Sequence, residues 1–256
     1  MIRLIASDID GTLLQDGAVE IPEVIFREIR RLKGKGILFC PASGRQYSSL
    51  RRLFAPVADE IFYLCENGAV VYGPGNPGPV LSKTVMDRTL AEQLSRAIIA
   101  LPGVEVLISG ANTSYICPKR EDMLELIRDF VGNNTAVLEE PEQVPEEIIK
   151  VSAYCPGRLE ETWQALSGSW GKHFQAAIAG EDWVDFTLAD KGRALEKLCR
   201  VLEIGPDEVM AFGDNYNDLP MLERAGRPYI MAGAAPELRA RFSHCCRQVA
   251  EVLREL

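Results

Sequence analysis

The sequence is poor in histidine, and its cysteines form no metal-binding or redox pattern. Only two histidines are present, and the seven cysteines are scattered, mostly in apolar stretches, with no C-x-x-C pair. These shortages argue against a zinc site built on histidine, a zinc ribbon and a thioredoxin-type centre. We therefore expect most of the thiols to be small buried hydrophobic groups in a protein of a reducing compartment.

Positive charge and long apolar runs are also scarce. Lys and Arg total 28 against 37 Asp and Glu, which gives a formal net charge of -9. A general nucleic-acid binder needs a basic face, so no nucleic-acid partner is predicted, although local positive charge would be enough for a phosphorylated ligand. No apolar stretch is long enough to span a bilayer, and no signal sequence precedes the first predicted strand. We expect a cytoplasmic protein without a membrane partner, and no oligomeric state is predicted.

The composition is otherwise that of a globular protein with a sizeable core. The chain has 256 residues, of which 47% are hydrophobic and 25% are charged. This length indicates between one and two domains.

The most informative stretch lies at the start of the chain. The apolar run Ile2–Ser7 predicts a buried strand and is followed by Asp8, Asp10, Gly11 and Thr12. Side chains two residues apart on an extended segment point to the same side, just past the end of the strand. Two adjacent carboxylates require a cation or a shared proton, which points to a nucleophilic aspartate on a Mg2+ site. A simple Asp-Gly turn is the alternative.

The first part of the chain alternates between predicted strands and helices. A helix with apolar residues at positions 25, 29 and 32 leads to a strand over 36–40, and that strand runs into Ser43 and Gly44. A further strand over 61–65 precedes an Asn-Gly hairpin turn. This order is typical of a parallel sheet covered by helices. Ser43 then stands at a helix N-terminus, where it can bind phosphate or serve only as the N-cap.

The middle of the chain has a different character. From about Leu81 to Thr187, predicted strands occur in adjacent pairs, with helices between the pairs. This order indicates an antiparallel α+β unit inserted into the parallel one. The strands are predicted over residues 104–108, 114–117, 148–154, 174–178 and 184–188.

The last quarter returns to strand–helix alternation and brings a second acidic cluster. Lys191 opens a predicted helix, and the strand Val209–Phe212 ends just before Asp214 and Asp218. In a parallel sheet this cluster can meet Asp8 and Asp10 at one edge, where it needs a cation and a positive side chain. Lys191 is a candidate for that charge. Taken singly, it could equally be a surface lysine, and Asp218 a first-turn residue favoured by the helix dipole.

These segments resemble, in order, the four motifs of the haloacid dehalogenase superfamily of phosphotransferases. The first motif matches Asp8 to Leu13, the second Ser43, the third Lys191 and the fourth Gly213 to Asp218. The insertion resembles the cap of the Cof-type subfamily. The resemblance implies an α/β fold: a Rossmann-like parallel-sheet core over residues 1–81 and 188–256, with an inserted α+β cap over 82–187 that governs substrate specificity.

The resemblance also implies a role for each matched residue. Asp8 is the expected nucleophile and Asp10 the acid and base, with Ser43 and Lys191 completing the catalytic set. The expected metal is Mg2+, held by Asp8, Asp214 and the backbone of Asp10, with Asp218 nearby. Phosphate contacts are expected from Ile9, Gly11, Thr12, Ser43, Gly44, Lys191 and Asn217.

The implied activity is that of a Mg2+-dependent phosphatase for a small phosphorylated metabolite, in particular a sugar phosphate, acting through an aspartyl-phosphate. A phosphomutase or phosphotransferase on the same core is one alternative, and a sensor that binds a phosphorylated ligand without turnover is another. One position departs from the family pattern. Gly233 stands where many relatives carry an asparagine, and this puts a close transfer of substrate from any relative in doubt.

Overall fold

Two structural units make up the chain in the computed structural model, which describes residues 1–120 and 122–256. Unit 1 comprises residues 1–45, 50–82 and 190–256, and unit 2 comprises residues 46–49 and 83–189. Among the described residues, no helix is long and apolar enough to cross a membrane.

The centre of unit 1 is a sheet of five parallel strands. Its strands are β1 (Leu4–Ser7), β2 (Leu38–Pro41), β12 (Val209–Gly213), β13 (Arg227–Met231) and β14 (Cys245–Cys246). The order across the sheet is β14-β13-β12-β1-β2. Because β1 lies between β12 and β2, the segments that leave the carboxyl ends of these three strands begin side by side.

Helices bury both faces of this sheet. The helices of unit 1 are α1 (Glu23–Lys33), α6 (Lys191–Leu202), α7 (Leu219–Leu222), α8 (Pro236–Arg239) and α9 (Val249–Arg254). A further helix, α2 (Tyr47–Leu53), has its first three residues in unit 2 and the rest in unit 1. Leu4 and Ala6 pack in one cluster with apolar residues of α6 and α7. Ile5, fully buried, points to the opposite face by strand alternation, and α1 contacts both β2 and α9.

A separate three-stranded sheet is formed by residues that follow β2 and α2 in the chain. It is formed by β3 (Tyr63–Cys65), β4 (Val70–Tyr72) and β5 (Val80–Lys83). The predicted hairpin between the first two strands is present, and β3 pairs antiparallel with β4. Its connection is a 3-10 turn, Glu66–Gly68, in which Asn67 has a φ of 54°. Asparagine tolerates this left-handed conformation better than most residues.

Unit 2 is built on a six-stranded sheet. Its strands are β6 (Glu105–Ser109), β7 (Ser114–Ile116), β8 (Thr135–Val137), β9 (Lys150–Tyr154), β10 (Gln175–Ala179) and β11 (Trp183–Thr187). The order is β10-β11-β9-β6-β7-β8, with antiparallel pairing except between β7 and β8. Helices α3 (Arg88–Ala100) and α5 (Leu159–Trp170) contribute to an apolar core on one face.

The structure differs from the sequence predictions in several short strands and helices. Strands β5, β8 and β14 were not predicted, and β8 adds a parallel pair to a unit expected to be antiparallel. For residues 123–131 the apolar spacing predicts one continuous helix, but the structure has a single α-turn, α4 (Met123–Glu125), followed by a π-helical segment, Leu126–Val131. Strands of two to four residues carry too little alternation for pattern analysis to detect.

Candidate active site

The nucleophile predicted from the sequence, Asp8, lies directly after β1 and is almost fully buried. Its backbone N–H donates to the carbonyl of Phe212 at 2.9 Å, which extends the parallel pairing by one residue. Its Oδ1 accepts a hydrogen bond from Lys191 Nζ at 2.5 Å. Its Oδ2 is buried and has no hydrogen-bond partner within the described chain. Burial raises the pKa of Asp8 to about 8, because desolvation outweighs the attraction of Lys191.

Lys191 joins this carboxylate to a second one. It is the first residue of α6, is fully buried, and also donates to Asp218 Oδ1 at 2.6 Å. Burial alone lowers the pKa of a lysine, but the two carboxylates outweigh it, and the pKa of Lys191 rises above its ordinary value. Lys191 is therefore a fixed positive charge held between two buried acids.

The fourth motif supplies two acids in different settings. Asp218 is fully buried, and its Oδ2 accepts the backbone N–H groups of Asp214 and Asn215 at 2.9 and 3.1 Å. Asp214 is half-buried and accepts from Thr12 Oγ1 at 3.0 Å. Burial, followed by the charge of Asp218, raises the pKa of Asp214, and the Thr12 hydrogen bond only partly opposes this effect.

These acids form a group that can hold a metal ion. One ligand atom from each of Asp8, Asp214 and Asp218 lies within 4.8 Å of the others. Gly11 is tightly fitted against the group: its φ is 93°, and a Cβ there would lie 2.2 Å from Asp214 Oδ2. An all-oxygen donor set with an unpartnered buried oxygen suits a hard cation such as Mg2+.

Asp10 is set apart from this buried group. It is exposed, and Arg45 holds its carboxylate with two hydrogen bonds, Nε to Oδ2 at 3.0 Å and Nη2 to Oδ1 at 2.6 Å. The hydrogen bonds with the Asp10 carboxylate raise the pKa of Arg45 above its ordinary value. Sequence reasoning assigned no role to Arg45, although it follows Ser43 and Gly44 directly. No pattern in the sequence pairs residues 35 positions apart in this way.

The second motif lies against the hairpin turn after β3. Ser43 is buried, its carbonyl accepts the N–H of Asn67 at 2.8 Å, and its Oγ accepts the N–H of Arg45 at 3.2 Å. Asn67 Oδ1 in turn accepts from Asn217 Nδ2 at 3.4 Å. A Cβ at Gly44 would lie 3.3 Å from Asn67 Nδ2. The structure thus brings Ser43, Gly44 and Asn217 together through Asn67, for which the sequence predicted only a turn.

The remaining predicted contacts are positioned by the turn after β1. Ile9 is fully buried, and its carbonyl accepts the N–H groups of Thr12, Leu13 and Leu14 at 3.1, 2.8 and 2.8 Å. This turn holds Thr12 against Asp214. At Gly233, a Cβ would meet no atom within 4 Å, so the absence of an asparagine there does not result from crowding.

Comparison with known proteins identifies the family. The model for haloacid dehalogenase-like hydrolases matches residues 5–253. The chain belongs to the haloacid dehalogenase-like hydrolase family. The 5-amino-6-(5-phospho-D-ribitylamino)uracil phosphatase YbjI of Escherichia coli is 28% identical over 94% of this chain and 90% of its own. The HMP-PP phosphatase of Cronobacter sakazakii is 26% identical over 97% and 93%. A solved structure from Eubacterium rectale is 32% identical, with a TM-score of 0.88, over 99% of this chain and 98% of its own.

Family membership confirms several of the sequence predictions. The predicted superfamily with its Cof-type placement, the α/β fold class and the enzyme class, phosphoric monoester hydrolase, are all confirmed. The roles assigned to individual residues remain predictions. In the structure, six of the predicted site residues lie together in one group: Asp8, Gly11, Thr12, Lys191, Asp214 and Asp218.

Proposed function

We propose that the chain is a Mg2+-dependent phosphatase that hydrolyses a small phosphorylated metabolite, in particular a sugar phosphate, through an aspartyl-phosphate on Asp8. The observation that carries the proposal is the state of Asp8. One of its oxygens is neutralised by Lys191, and the other is buried and unpartnered within the described chain. A carboxylate in this state is stripped of solvent, as a nucleophile toward phosphorus must be. The relatives from E. coli and C. sakazakii, both named phosphatases, support the substrate class.

The donor set fits Mg2+. Asp8, Asp214 and Asp218 would hold the ion with the backbone carbonyl of Asp10, and Thr12 and Gly11 keep Asp214 in place. When bound, Mg2+ supplies charge neutralisation to the phosphoryl oxygens.

The chain's own residues carry the proposed reaction. A carboxylate oxygen of Asp8 attacks phosphorus and forms a new P–O bond as the bond to the leaving oxygen breaks, and Asp10 gives that oxygen a proton. Asp10 then takes a proton from water, which attacks phosphorus and breaks the bond to Asp8. The products are the free alcohol and phosphate, and both aspartates return to their starting state. Asp10 must exchange its contact with Arg45 for the substrate in each cycle.

The proposed phosphoryl contacts are the predicted ones. Lys191 offers a buried positive charge, and Ser43, Gly44 and Asn217 form a polar group around Asn67. Ile9, Gly11 and Thr12 form the turn directly after Asp8, in which the N–H groups of Gly11 and Thr12 donate to the carbonyls of Leu14 and Ile9, so their proposed part is to shape the edge of the phosphoryl site. Positioned charge of this kind is the main contribution that proteins make to phosphoryl transfer.

We also propose that unit 2 acts as the cap that governs substrate specificity, and that the protein works in the cytoplasm. All seven cysteines are free thiols, which supports a reducing location.

The test is phosphate release from a panel of sugar phosphates and related metabolites, with Mg2+ and with chelator. We expect release that requires Mg2+ and that falls at least a thousandfold in Asp8→Asn, which loses the nucleophile. Asp207→Asn, at an exposed position in a different turn, is the matched control and should retain wild-type rates.

Other outcomes would change the assignment. Activity retained in Asp8→Asn means that a different group is the nucleophile. Transfer of phosphate only to a second metabolite, with no release to water, indicates a phosphotransferase or phosphomutase. Binding of phosphorylated ligands without any turnover indicates a sensor.

A further inference from the structure

One edge of the six-stranded sheet in unit 2 is open along β10. In the part of the chain that the structure describes, β10 is the last strand of this sheet and pairs with β11 alone. All five residues of β10 are in continuous antiparallel register with β11, so no bulge interrupts the strand. Its sequence, Gln-Ala-Ala-Ile-Ala, contains no charge and no proline. Proteins commonly protect an open edge with charged residues, proline or a bulge, and β10 has none of these protections.

The open edge also exposes a large apolar side chain. Ile178 is paired with Val184, which lies in the apolar core of unit 2, so Ile178 belongs to the apolar face of the sheet. Even so, Ile178 is 49% exposed. On the same face, a groove beside β10 is lined in part by Trp163, Phe174 and Ala176, which belong to that core. The apolar face therefore ends at the open edge with an exposed isoleucine next to a groove.

The two ends of β10 carry opposite charges. Lys172 lies just before the strand, and Glu181 and Asp182 lie in the turn that follows it. Lys172 and Glu181 are both exposed. Opposite charges across a strand pair are favourable, and like charges are not. A strand with a basic start and an acidic end therefore complements a second copy of itself in the antiparallel orientation, whereas the parallel orientation brings like charges together.

We propose that β10 is a self-association surface, at which two copies of the chain pair their β10 strands antiparallel into one continuous sheet. A twofold axis at right angles to the sheet keeps the apolar faces of both copies on the same side. The axis passes through Ala177, because this register pairs all five residues of both strands. Ala176 of one copy then lies opposite Ile178 of the other, next to the groove. Lys172 of one copy faces the turn that carries Glu181 in the other.

The opposite edge of the same sheet is less suited to self-pairing. Its strand β8 has three residues, of which Val137 is 50% exposed. Glu139 and Glu140 follow β8, but the residues before it, 132–134, are Gly-Asn-Asn and carry no positive charge. Two antiparallel copies of β8 would gain no opposite charges. Val137 is therefore a matched control for Ile178.

Sedimentation velocity over about 1–200 µM protein measures the association, and the small interface predicts a weak dimer that forms toward the upper concentrations. Ile178→Lys should raise the dissociation constant about tenfold or more, because it places two ammonium groups near the axis. Val137→Lys should leave it unchanged, and circular dichroism checks that both variants are folded. A monomer at every concentration, growth beyond a dimer, or equal effects of the two substitutions overturns the proposal. The readout is mass, so the result does not depend on the proposed function.

A charge exchange tests the antiparallel orientation. Glu181→Lys brings two basic ends together and Lys172→Glu two acidic ends, so each should raise the dissociation constant about fivefold. The double variant exchanges the two charges and restores their opposition, so its dissociation constant should return to within about twofold of the wild-type value. A double variant that associates as weakly as the single ones contradicts the proposed pairing.

Cysteine cross-linking tests the register. In a Cys245→Ser background, which removes the exposed thiol, Ala177→Cys places a new thiol directly opposite its own copy. Opposed residues of antiparallel strands have Cα atoms about 4.5–5.5 Å apart, which a disulfide can span. Ala179→Cys lies on the same side of the strand but opposite Gln175 of the second copy. Mild oxidation at the upper protein concentrations should therefore cross-link the first variant and not the second, and equal yields from both overturn the proposal.

Discussion

At the scale of single residues, the candidate active site depends on one buried lysine. Lys191 separates two buried carboxylates at 2.5 and 2.6 Å. A buried pair contributes little net stability when intact, but removing one partner leaves an uncompensated charge in a poorly solvated place. The stability of the fold and the proposed reaction therefore both require a positive charge at position 191.

Lys191→Met should lower the free energy of unfolding by about 3–5 kcal/mol near pH 8 and abolish phosphate release. The stability loss should grow as the pH rises from 8 to 10. The pKa of Asp8 is about 8 with Lys191 in place and rises further without it, so over this range the folded variant keeps a proton that the folded wild type has released, and alkali destabilises the variant more. Urea unfolding at the two pH values measures this difference.

Lys33→Met is the comparison for that variant. Lys33 pairs with Glu60 at 2.8 Å, but its side chain is 49% exposed. Loss of an exposed pair should cost less than about 1 kcal/mol at either pH, with normal turnover. Equal effects of the two substitutions would show that Lys191 is not a buried charge in solution.

At the scale of elements, the start of α6 sets the position of Lys191. Asp190 is the N-cap, and its Oδ1 accepts the N–H of Arg193 at 2.8 Å. Gly192 allows α6 to approach α7, since a Cβ there would lie 2.1 Å from the Pro220 carbonyl oxygen. Buried Ala194, Leu195 and Leu198 fix the helix against the sheet. The cap and the packing of α6 thus fix the backbone position of Lys191 independently of the hydrogen bonds that its side chain makes.

Asp190→Ala tests this coupling between a helix cap and the candidate site. Loss of the cap should cost about 1 kcal/mol of stability, and the looser first turn should lower kcat severalfold by letting Lys191 drift from Asp8. Asp87→Ala removes an equivalent cap from α3, where Asp87 Oδ1 accepts the N–H of Leu90 at 2.9 Å. It should cost similar stability without a change in kcat. Urea unfolding and steady-state kinetics measure the two effects, and a normal kcat in Asp190→Ala contradicts the coupling.

At the scale of the whole molecule, strand-end reasoning was sufficient to predict the acidic group. Asp8, Asp214 and Asp218 follow buried strands, and parallel strands place such residues at one edge. The pairing of Asp10 with Arg45 and the position of Asn67 were missed, because they depend on turn geometry between segments that are distant in sequence.

Burial of thiols is the other whole-molecule property that the sequence indicated. Cys40, Cys65, Cys117 and Cys155 are buried, Cys199 and Cys246 are half-buried, and Cys245 is exposed. Burial raises the pKa of the first six thiols, to about 11 for Cys117 and Cys199 and to about 12 for Cys246. The folded protein therefore keeps these thiols protonated at pH values where the unfolded chain loses the protons.

The free energy of unfolding should accordingly fall as the pH rises above about 9. The sign follows from linkage: between the ordinary thiol pKa and the raised one, the folded state binds more protons than the unfolded state, so alkali favours unfolding. Below pH 8 these thiols should add no pH dependence. Urea titrations combined with thiolate absorbance measure the effect.

Ellman's reagent at pH 8 should modify Cys245 quickly in the folded protein and all seven thiols after denaturation. Rapid reaction of more than three thiols in the folded protein would contradict the burial on which the prediction depends.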